Sequence, residues 1–351
     1  MNDAPEIHFA VDRGVGRIVL DRPQALNALT LGMVRQIDPK LRAWATDPDI
    51  REVVITGAGD RAFCAGGDIR TLYDEQSADS DFARGFFAEE YILNRLIKRY
   101  PKPYIAIADG ITMGGGVGLA VHGGYRIATD RTTFAMPELA IGFFPDVGGG
   151  WVLVHAAGRI GTYLALSGGR TKAADSLYTG TATHYVGDDQ LAEFVAAIGD
   201  APIEALLARF ASDPGPAPLA DNADAISRCF SHPTVEDMLA ALDAETGVWA
   251  EKAAASMRRV SPTSLKVAKQ HLDRAIDLDF EANMVLEYRM SQHFMAEHDF
   301  REGIRALVID KDNAPHWRPA RLQDVTEAAV EAYFAPLGDR ELRFDLSPEG
   351  L

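Results

Sequence analysis

The chain has 351 residues, of which 47% are hydrophobic and 25% are charged, as in ordinary globular proteins. Its formal net charge is −16, and it has no run of lysine or arginine, which excludes a typical nucleic-acid-binding surface. Its two cysteines, Cys64 and Cys229, form no CxxC pair, so neither a disulfide framework nor a zinc site is indicated.

The N-terminal residues carry no sign of a targeting segment. Residues 1–6, MNDAPE, are acidic and have neither an apolar stretch nor the arginine-rich character of a transit peptide. No stretch of the chain reaches the roughly 18 consecutive apolar residues that cross a bilayer. We therefore expect a cytoplasmic protein, or a mature form from which a targeting segment has been removed, with neither a membrane nor a nucleic acid among its partners.

Up to about residue 190, short β-branched segments alternate with amphipathic ones. Buried strands are predicted at Arg17–Leu20, Val53–Thr56 and Tyr104–Ala108. Apolar residues recur at helical spacing near Thr30–Thr46 and over Phe82–Arg99. This alternation of strands and helices favours an α/β fold.

After about residue 190 the pattern becomes helical. We predict a core over residues 1–190 and a helical C-terminal region over residues 191–351. The tail from Asp324 onward is acidic and is expected to be peripheral. The predicted helices are Leu191–Ile198, Pro202–Phe210, Thr234–Leu242, Val248–Val260, a helix that opens at Ser261 and runs to Ala275, and Glu281–Glu297.

Two glycine turns and two carboxylates are the main candidates for a catalytic site in the sequence. The turns are AFCAGGDI at residues 62–69 and GITMGGGVG at residues 110–118, and neither is a dinucleotide or Walker motif. Glycine lets backbone N–H groups approach a ligand closely, and converging N–H groups stabilise a developing oxyanion. Glu138 and Asp146 follow and can act as base or nucleophile. The segment therefore predicts an enzyme that acts on an activated carbonyl.

Together with LDRPQALNAL at residues 20–29 and MPE at residues 136–138, these turns resemble the crotonase family, the enoyl-CoA hydratase/isomerase superfamily. The resemblance implies a crotonase-type spiral of ββα units, followed by helices that cover an acyl-CoA pocket. It also implies that the N–H groups of Gly67 and Gly115 form an oxyanion hole for the thioester carbonyl. Ala65, in the first turn, is a further expected substrate contact.

One difference from the family pattern bears on which reaction the chain catalyses. Hydratases of the family use two glutamates, and the position of one of them is Gly118 here, whereas Glu138 supplies the other. Adding water across a C=C bond needs one group to deprotonate water and another to protonate carbon. Gly118 therefore disfavours a hydratase.

The run PELAIGFFPDVGGGW at residues 137–151, EEY at 89–91, and HDFREG at 298–303 resemble one subgroup of the family, the 3-hydroxyisobutyryl-CoA hydrolases. The resemblance implies hydrolysis of a short 3-hydroxyacyl-CoA thioester, as in valine degradation. Glu138 would activate water or attack directly to form a mixed anhydride. Asp146 would hold the 3-hydroxyl or shuttle a proton, and Glu90 would line the acyl pocket. Coenzyme A is then part of the substrate, no separate cofactor or metal is expected, and a homo-oligomer is possible.

The residues alone leave alternatives open. The chain can be a hydratase or isomerase of the same family, or a non-catalytic acyl-CoA-binding protein. Glu138 can be an acid at a helix N-terminus, Asp146 a turn residue, and Glu90 a solvated helix residue. Cys64 is expected to be a small buried thiol. Candidate cations for the phosphates of coenzyme A are Arg22, Lys266 and Lys269.

Overall fold

The computed structural model describes residues 5–74 and 81–344, in which two β-sheets are packed among helices. Residues 1–4, on which part of the targeting argument depends, lie outside the described residues. In chain order the strands are β1 (Ile7–Asp12), β2 (Val15–Leu20), β3 (Glu52–Gly57), β4 (Ala62–Cys64), β5 (Tyr104–Ala108), β6 (Ile111–Met113), β7 (Tyr125–Ala128), β8 (Thr133–Ala135) and β9 (His184–Tyr185).

The strands form a spiral of ββα units. In each of the pairs β3–β4, β5–β6 and β7–β8, the first strand joins the six-stranded sheet β1-β2-β3-β5-β7-β9, and the second joins the three-stranded sheet β4-β6-β8. All neighbouring strands are parallel except the β1–β2 hairpin. The fold expected from the family resemblance is confirmed. Because β4 and β6 are parallel neighbours, the turns that follow them meet at one edge of the smaller sheet.

The strands and helices predicted from the sequence are all found, with ends shifted by at most three residues. Thr30 and Ser261 each cap a helix by accepting the backbone N–H three residues on, at 3.1 Å in both cases. The α-helices are Leu31–Thr46, Ile69–Asp74, Asp81–Lys98, Gly115–Ala120, Gly149–Val154, Ile160–Ser167, Ala173–Tyr178, Asp188–Ala197, Ile203–Phe210, Pro218–Asp221, Ala223–Phe230, Val235–Ala244, Val248–Met257, Pro262–Ala275, Phe280–Ala296, His298–Ile304 and Glu327–Ala332. Short 3₁₀ segments cover Pro23–Ala25, Glu138–Ile141, Leu322–Asp324 and Gly338–Arg340, and a π-helical turn covers Arg305–Ile309.

The hydrophobic core joins the two halves of the chain. Phe87 and Tyr91 of the helix Asp81–Lys98 belong to the same buried cluster as Phe294 and Phe300 from the C-terminal helices. The helices Asp188–Ala197 and Ile203–Phe210 pack instead against the larger sheet, in a separate buried cluster. The division of the chain at residue 190 stays a prediction. No helix in the described ranges is long and apolar enough to cross a bilayer.

The expectation that the tail is peripheral holds in part. Most of residues 324–344 are exposed, and residues 345–351 lie outside the described part of the chain. Val330, Tyr333 and Phe334 are nevertheless buried in the same cluster as the C-terminal helices. The acidic composition of the tail concealed the short helix Glu327–Ala332, of which Val330 is buried.

Candidate active site

The two glycine turns converge on one point. They follow the neighbouring strands β4 and β6, and a Cβ atom built on Gly115 would lie 3.2 Å from the backbone nitrogen of Gly67. Gly66 has φ of 124° and Gly114 has φ of 49°, in the left-handed half of backbone space that favours glycine. The close approach of the two turns therefore depends on residues without side chains.

Within residues 5–74 and 81–344, the N–H groups of Gly67 and Gly115 are both unpaired. Leu29 bonds to the carbonyl of Gly66 and to the N–H of Asp68, each at 2.8 Å, so in this parallel pairing the N–H of Gly67 points away from Leu29. Gly115 is the first residue of its helix, where N–H groups have no partner within the helix. Neither N–H has a hydrogen-bond partner among the described residues.

Both turns line a cavity of about 150 Å³. Its walls are mainly apolar and include Phe86, Phe143 and Phe300. Three carboxylates reach it from three different elements of the chain. The structure thus brings together every residue proposed from the sequence for the thioester and its acyl group: Ala65, Gly67, Glu90, Gly115, Glu138 and Asp146.

Glu138 lies beside the second glycine turn. It begins a 3₁₀ segment after Pro137, and its Oε1 is 3.2 Å from the position of a Cβ on Gly114. The side chain is buried, and its Oε2 has no hydrogen-bond partner in the described part of the chain. Burial, and then the charge of Asp146, raise the pKa of Glu138 well above its ordinary value. A buried carboxylate with a free acceptor next to a cavity is a strong candidate for chemistry.

Asp146 and Glu90 complete the group of carboxylates. The hydroxyl of Tyr91 donates to Oδ2 of Asp146 at 2.7 Å, and burial raises the pKa of Asp146 to about 7 while this hydrogen bond opposes the rise. Glu90 is only 2% exposed, so it is not a solvated helix residue. Burial, and then Asp146, raise the pKa of Glu90 well above its ordinary value, and its Oε1 has no partner among the described residues.

No lysine or arginine of residues 5–74 and 81–344 pairs with Glu90, Glu138 or Asp146. Three neighbouring carboxylates without a cation cannot all ionise easily, because each anion opposes the next. They therefore titrate as a group, and some of them hold protons near neutral pH. No cluster of metal-ligating side chains is found in the same ranges.

Sequence reasoning missed Glu287. It lies on the helix Phe280–Ala296, is fully buried, and accepts the N–H groups of Gly148 at 2.6 Å and Gly150 at 3.2 Å. Burial raises its pKa to about 8. Its place on the buried face of an amphipathic helix, at helical spacing from Phe280 and Phe294, was the signal that could have found it.

The space beside Gly118 is filled. A Cβ on Gly118 would lie 2.6 Å from Nδ2 of Asn94 and 3.0 Å from Cβ of Val147. A contact of 2.6 Å is essentially never seen for a Cβ atom, so a side chain at position 118 would require Asn94 to move. In this chain Asn94 and Val147 occupy the space beside the position where the family resemblance places the second glutamate of hydratases.

Cys64 and Asp68, in the first turn, serve the structure. Burial raises the pKa of the Cys64 thiol to about 12, which keeps it protonated and supports the expected inert thiol. Asp68 accepts a hydrogen bond from Nη2 of Arg22 at 3.1 Å and from the N–H of Thr71 at 3.3 Å. Arg22 is therefore engaged within the protein.

The candidate cations on the late helix are also engaged. Lys266 pairs with Glu236 at 2.7 Å, and Lys269 pairs with Asp273. Both lysines line a surface groove that shares no residue with the cavity of the glycine turns. None of the three cations proposed for coenzyme A lines that cavity.

The chain matches a known protein family over most of its length. Residues 15–334 match the family model described as enoyl-CoA hydratase/isomerase. The chain belongs to this family. Within the enoyl-CoA hydratase/isomerase family, a Xenopus laevis protein named mitochondrial 3-hydroxyisobutyryl-CoA hydrolase is 45% identical, over 93% of this chain and 88% of that protein.

Solved structures of the family resemble this chain over nearly its whole length. A structure described as a carnitinyl-CoA dehydratase from Mycobacterium thermoresistibile has a TM-score of 0.93 at 45% identity, covering 97% of this chain and 99% of its own. One described as an enoyl-CoA hydratase from Rhodobacter sphaeroides has a TM-score of 0.92 at 38% identity, covering 97% and 100%. These names agree on coenzyme A esters but differ in the reaction.

Proposed function

We propose that the chain is a CoA-thioester hydrolase that converts 3-hydroxyisobutyryl-CoA and water into 3-hydroxyisobutyrate and coenzyme A, a step of valine degradation. The observation that carries the proposal is the buried carboxylate of Glu138, with one oxygen unpaired, beside two converging glycine turns. The name of the Xenopus laevis relative supports the choice of substrate.

In this proposal the N–H groups of Gly67 and Gly115 bind the thioester oxygen. Negative charge grows on that oxygen when the carbonyl carbon becomes tetrahedral. Backbone donors that are already fixed in place stabilise the charge without reorganising. Ala65 lines the same cavity and contacts the bound thioester.

Glu138 attacks the thioester through water or directly. As a base, its carboxylate takes a proton from water while the water oxygen bonds to the carbonyl carbon. The C–S bond then breaks, and the proton on Glu138 passes to the leaving CoA thiolate, which restores the carboxylate. As a nucleophile, its oxygen bonds to the same carbon and expels the thiolate, and water then hydrolyses the mixed anhydride and restores the carboxylate. Both routes need the ionised form of Glu138.

Asp146 and Glu90 recognise the acyl group. Asp146 holds the 3-hydroxyl or shuttles a proton, with Tyr91 fixing its orientation, and Glu90 lines the acyl pocket. The small cavity suits a short acyl group. Water is the only co-substrate in the proposed reaction, which uses neither a metal nor a separate cofactor. Assembly of several copies and a cytoplasmic location stay predictions, and the Xenopus laevis relative is named mitochondrial.

The names of the solved relatives favour a second candidate, hydration of an enoyl-CoA. Gly118 argues against it, because the position of the second glutamate of a hydratase has no side chain and its surroundings are filled by Asn94 and Val147. The division between proton removal from water and proton delivery to carbon that hydratases of the family use is therefore missing at these two positions.

A thiol-release assay across a panel of short 3-hydroxyacyl-CoA esters tests the proposal. We expect turnover to be fastest with 3-hydroxyisobutyryl-CoA and absent in the Glu138→Gln variant. Loss of the conjugated absorbance of crotonyl-CoA without thiol release would indicate a hydratase. Binding of the esters with neither reaction would indicate a non-catalytic acyl-CoA-binding protein.

A further inference from the structure

We propose that Glu287 is a positioning residue that holds the loop of Asp146 in place from the C-terminal helix Phe280–Ala296. The inference rests on the proposed function, since it assigns Glu287 a role in the reaction of that site. Glu287 does not line the cavity, so it acts through Asp146 and not on the substrate.

The loop after Asp146 has a backbone that needs support. Val147 has φ of 55° and Gly148 has φ of 77°, and a β-branched residue such as valine rarely adopts a positive φ. Such conformations persist when the surrounding structure fixes them, and they concentrate at functional sites. The oxygens of Glu287 accept the N–H groups of Gly148 and Gly150, on the far side of this strained residue.

The contacts of Glu287 require two acceptor oxygens. Oε2 accepts from Gly148, whereas Oε1 accepts from Gly150 and from Nδ2 of Asn283, at 2.8 Å. All three partners are donors, and both oxygens of a carboxyl group can accept, whereas the NH₂ group of an amide cannot. A glutamine of the same shape would turn its NH₂ group toward one of these donors and leave that donor unpaired in the core.

The groups behind Glu287 fix its orientation. Nε2 of His271 lies 3.0 Å from Oδ1 of Asn283 and 3.6 Å from Oε1 of Glu287. Burial lowers the pKa of His271 to about 4, so the ring is neutral and the pair is not an ion pair at neutral pH. His271 therefore orients Asn283, and Asn283 orients Glu287.

Asp146 is thus held from two directions. Tyr91 donates to its carboxylate, and Glu287 secures the backbone that follows it. A shift of about 1 Å in a catalytic group can cost on the order of 10²-fold in rate. Loss of the Tyr91 hydrogen bond or of the Glu287 contacts is expected to lower kcat more than it weakens substrate binding.

The experiment compares Glu287→Gln with the wild type on the ester that the wild type hydrolyses. We expect kcat to fall about 10- to 100-fold with KM changed less than about threefold. Glu281→Gln is the matched control, because Glu281 lies on the same helix and pairs with Arg99, and neither residue lines the cavity. Its kcat is expected to equal that of the wild type.

A double-mutant cycle separates positioning from a general structural role. In the Asp146→Asn background, Glu287→Gln is expected to add less than about a threefold loss, because both substitutions remove the same function. A loss as large as in the wild-type background would overturn the inference, as would a folded Glu287→Gln variant with wild-type kcat. If that variant does not fold, Asn283→Ala removes one donor, and a folded Asn283→Ala with unchanged kcat overturns it too. Absence of hydrolysis in the wild type would instead refute the proposed function.

Discussion

Asp68 and Asp146 both adjoin glycine turns, yet their surroundings differ. Asp68 bonds to the guanidinium of Arg22 and to a backbone N–H at the start of a helix. Asp146 is more deeply buried and has the neutral hydroxyl of Tyr91 as its side-chain partner. The acid with a cation anchors a turn, whereas the acid without one keeps a pKa near neutrality and remains available for proton chemistry.

The other carboxylates of the cavity resemble Asp146 and not Asp68. Glu90 and Glu138 are buried with unpaired oxygens, which opposes folding because buried charge and unsatisfied acceptors are costly. A site that concentrates such groups trades stability for reactivity. Substitutions inside the cavity should therefore harm activity and spare stability, and substitutions at Asp68 should do the reverse.

The largest effect is expected for Glu138→Gln. The amide has the same shape but can neither accept a proton nor attack the thioester, so we expect thiol release to fall at least about 10³-fold. Steady-state kinetics measures the loss, and circular dichroism checks the fold. Glu204→Gln, which alters a glutamate bonded to Tyr125 outside the cavity, is the matched control. Near wild-type turnover of Glu138→Gln would remove this residue from the mechanism.

Gly115→Ala should be the next most harmful substitution. Its Cβ would lie 2.6 Å from Oε1 of Glu90 and 3.2 Å from the nitrogen of Gly67, where the thioester oxygen is proposed to bind. Alanine keeps its backbone N–H, but its methyl group would obstruct the thioester oxygen, so we expect a loss similar to that of one oxyanion donor, about 10²–10³ in kcat. Gly124→Ala places the same methyl group in open space and should leave both kcat and KM unchanged. Equal activity of the two variants would rule out an oxyanion site at the second turn.

Tyr91→Phe tests how the pKa of Asp146 is set. The hydrogen bond from Tyr91 lowers that pKa against the effect of burial, so its removal should raise the pKa further above about 7. If the ionised form of Asp146 is the active one, the rise of kcat/KM with pH moves to higher pH. We expect a loss of roughly 3- to 10-fold near pH 6.5 and much less near pH 9. A pH profile that keeps its midpoint would show that Asp146 does not control the rate.

The sequence allowed the site to be predicted where the chemistry depends on local patterns. Gly67, Gly115 and Glu138 stand in motifs that are recognised from adjacent residues, and the structure brings them to one cavity. The strands β5 and β3 were predicted because several β-branched or apolar residues follow one another. The strands β4 and β6 have three residues each, too few for a periodic pattern to be recognised.

What could not be predicted depends on contacts between distant parts of the chain. Glu287 bonds to Gly148 across 139 positions, and no local pattern specifies that pairing. Asn94 fills the space at Gly118 because the helix Asp81–Lys98 packs against the second turn. The sequence showed an empty position at Gly118, and only the packing showed what occupies it.

The smallest effects are expected on thermal stability. They compare Glu90, a buried acid, with Asp68, an acid paired with a cation. Burial raises the pKa of Glu90, so the folded state binds its proton more tightly than the unfolded state does. The contribution of Glu90 to the free energy of unfolding is therefore most favourable at pH values below its pKa in the unfolded state. This contribution is lost as pH rises through its pKa in the folded state. Glu90→Gln, which never ionises, should raise Tm by roughly 1–4 °C at pH 8 and by less at pH 4.

Asp68→Asn is the counterpart of that experiment. It removes the charge that pairs with Arg22, so we expect Tm to fall slightly at pH 8, by roughly 1–3 °C, because partly exposed ion pairs contribute little. Differential scanning calorimetry of both variants at the two pH values measures the difference in sign. Equal falls in Tm at pH 8 would mean that Glu90 supports the fold as Asp68 does, and the distinction between paired and unpaired acids would not hold. Opposite signs would show that the cavity carboxylates are kept at the expense of stability, as expected for groups retained for their chemistry.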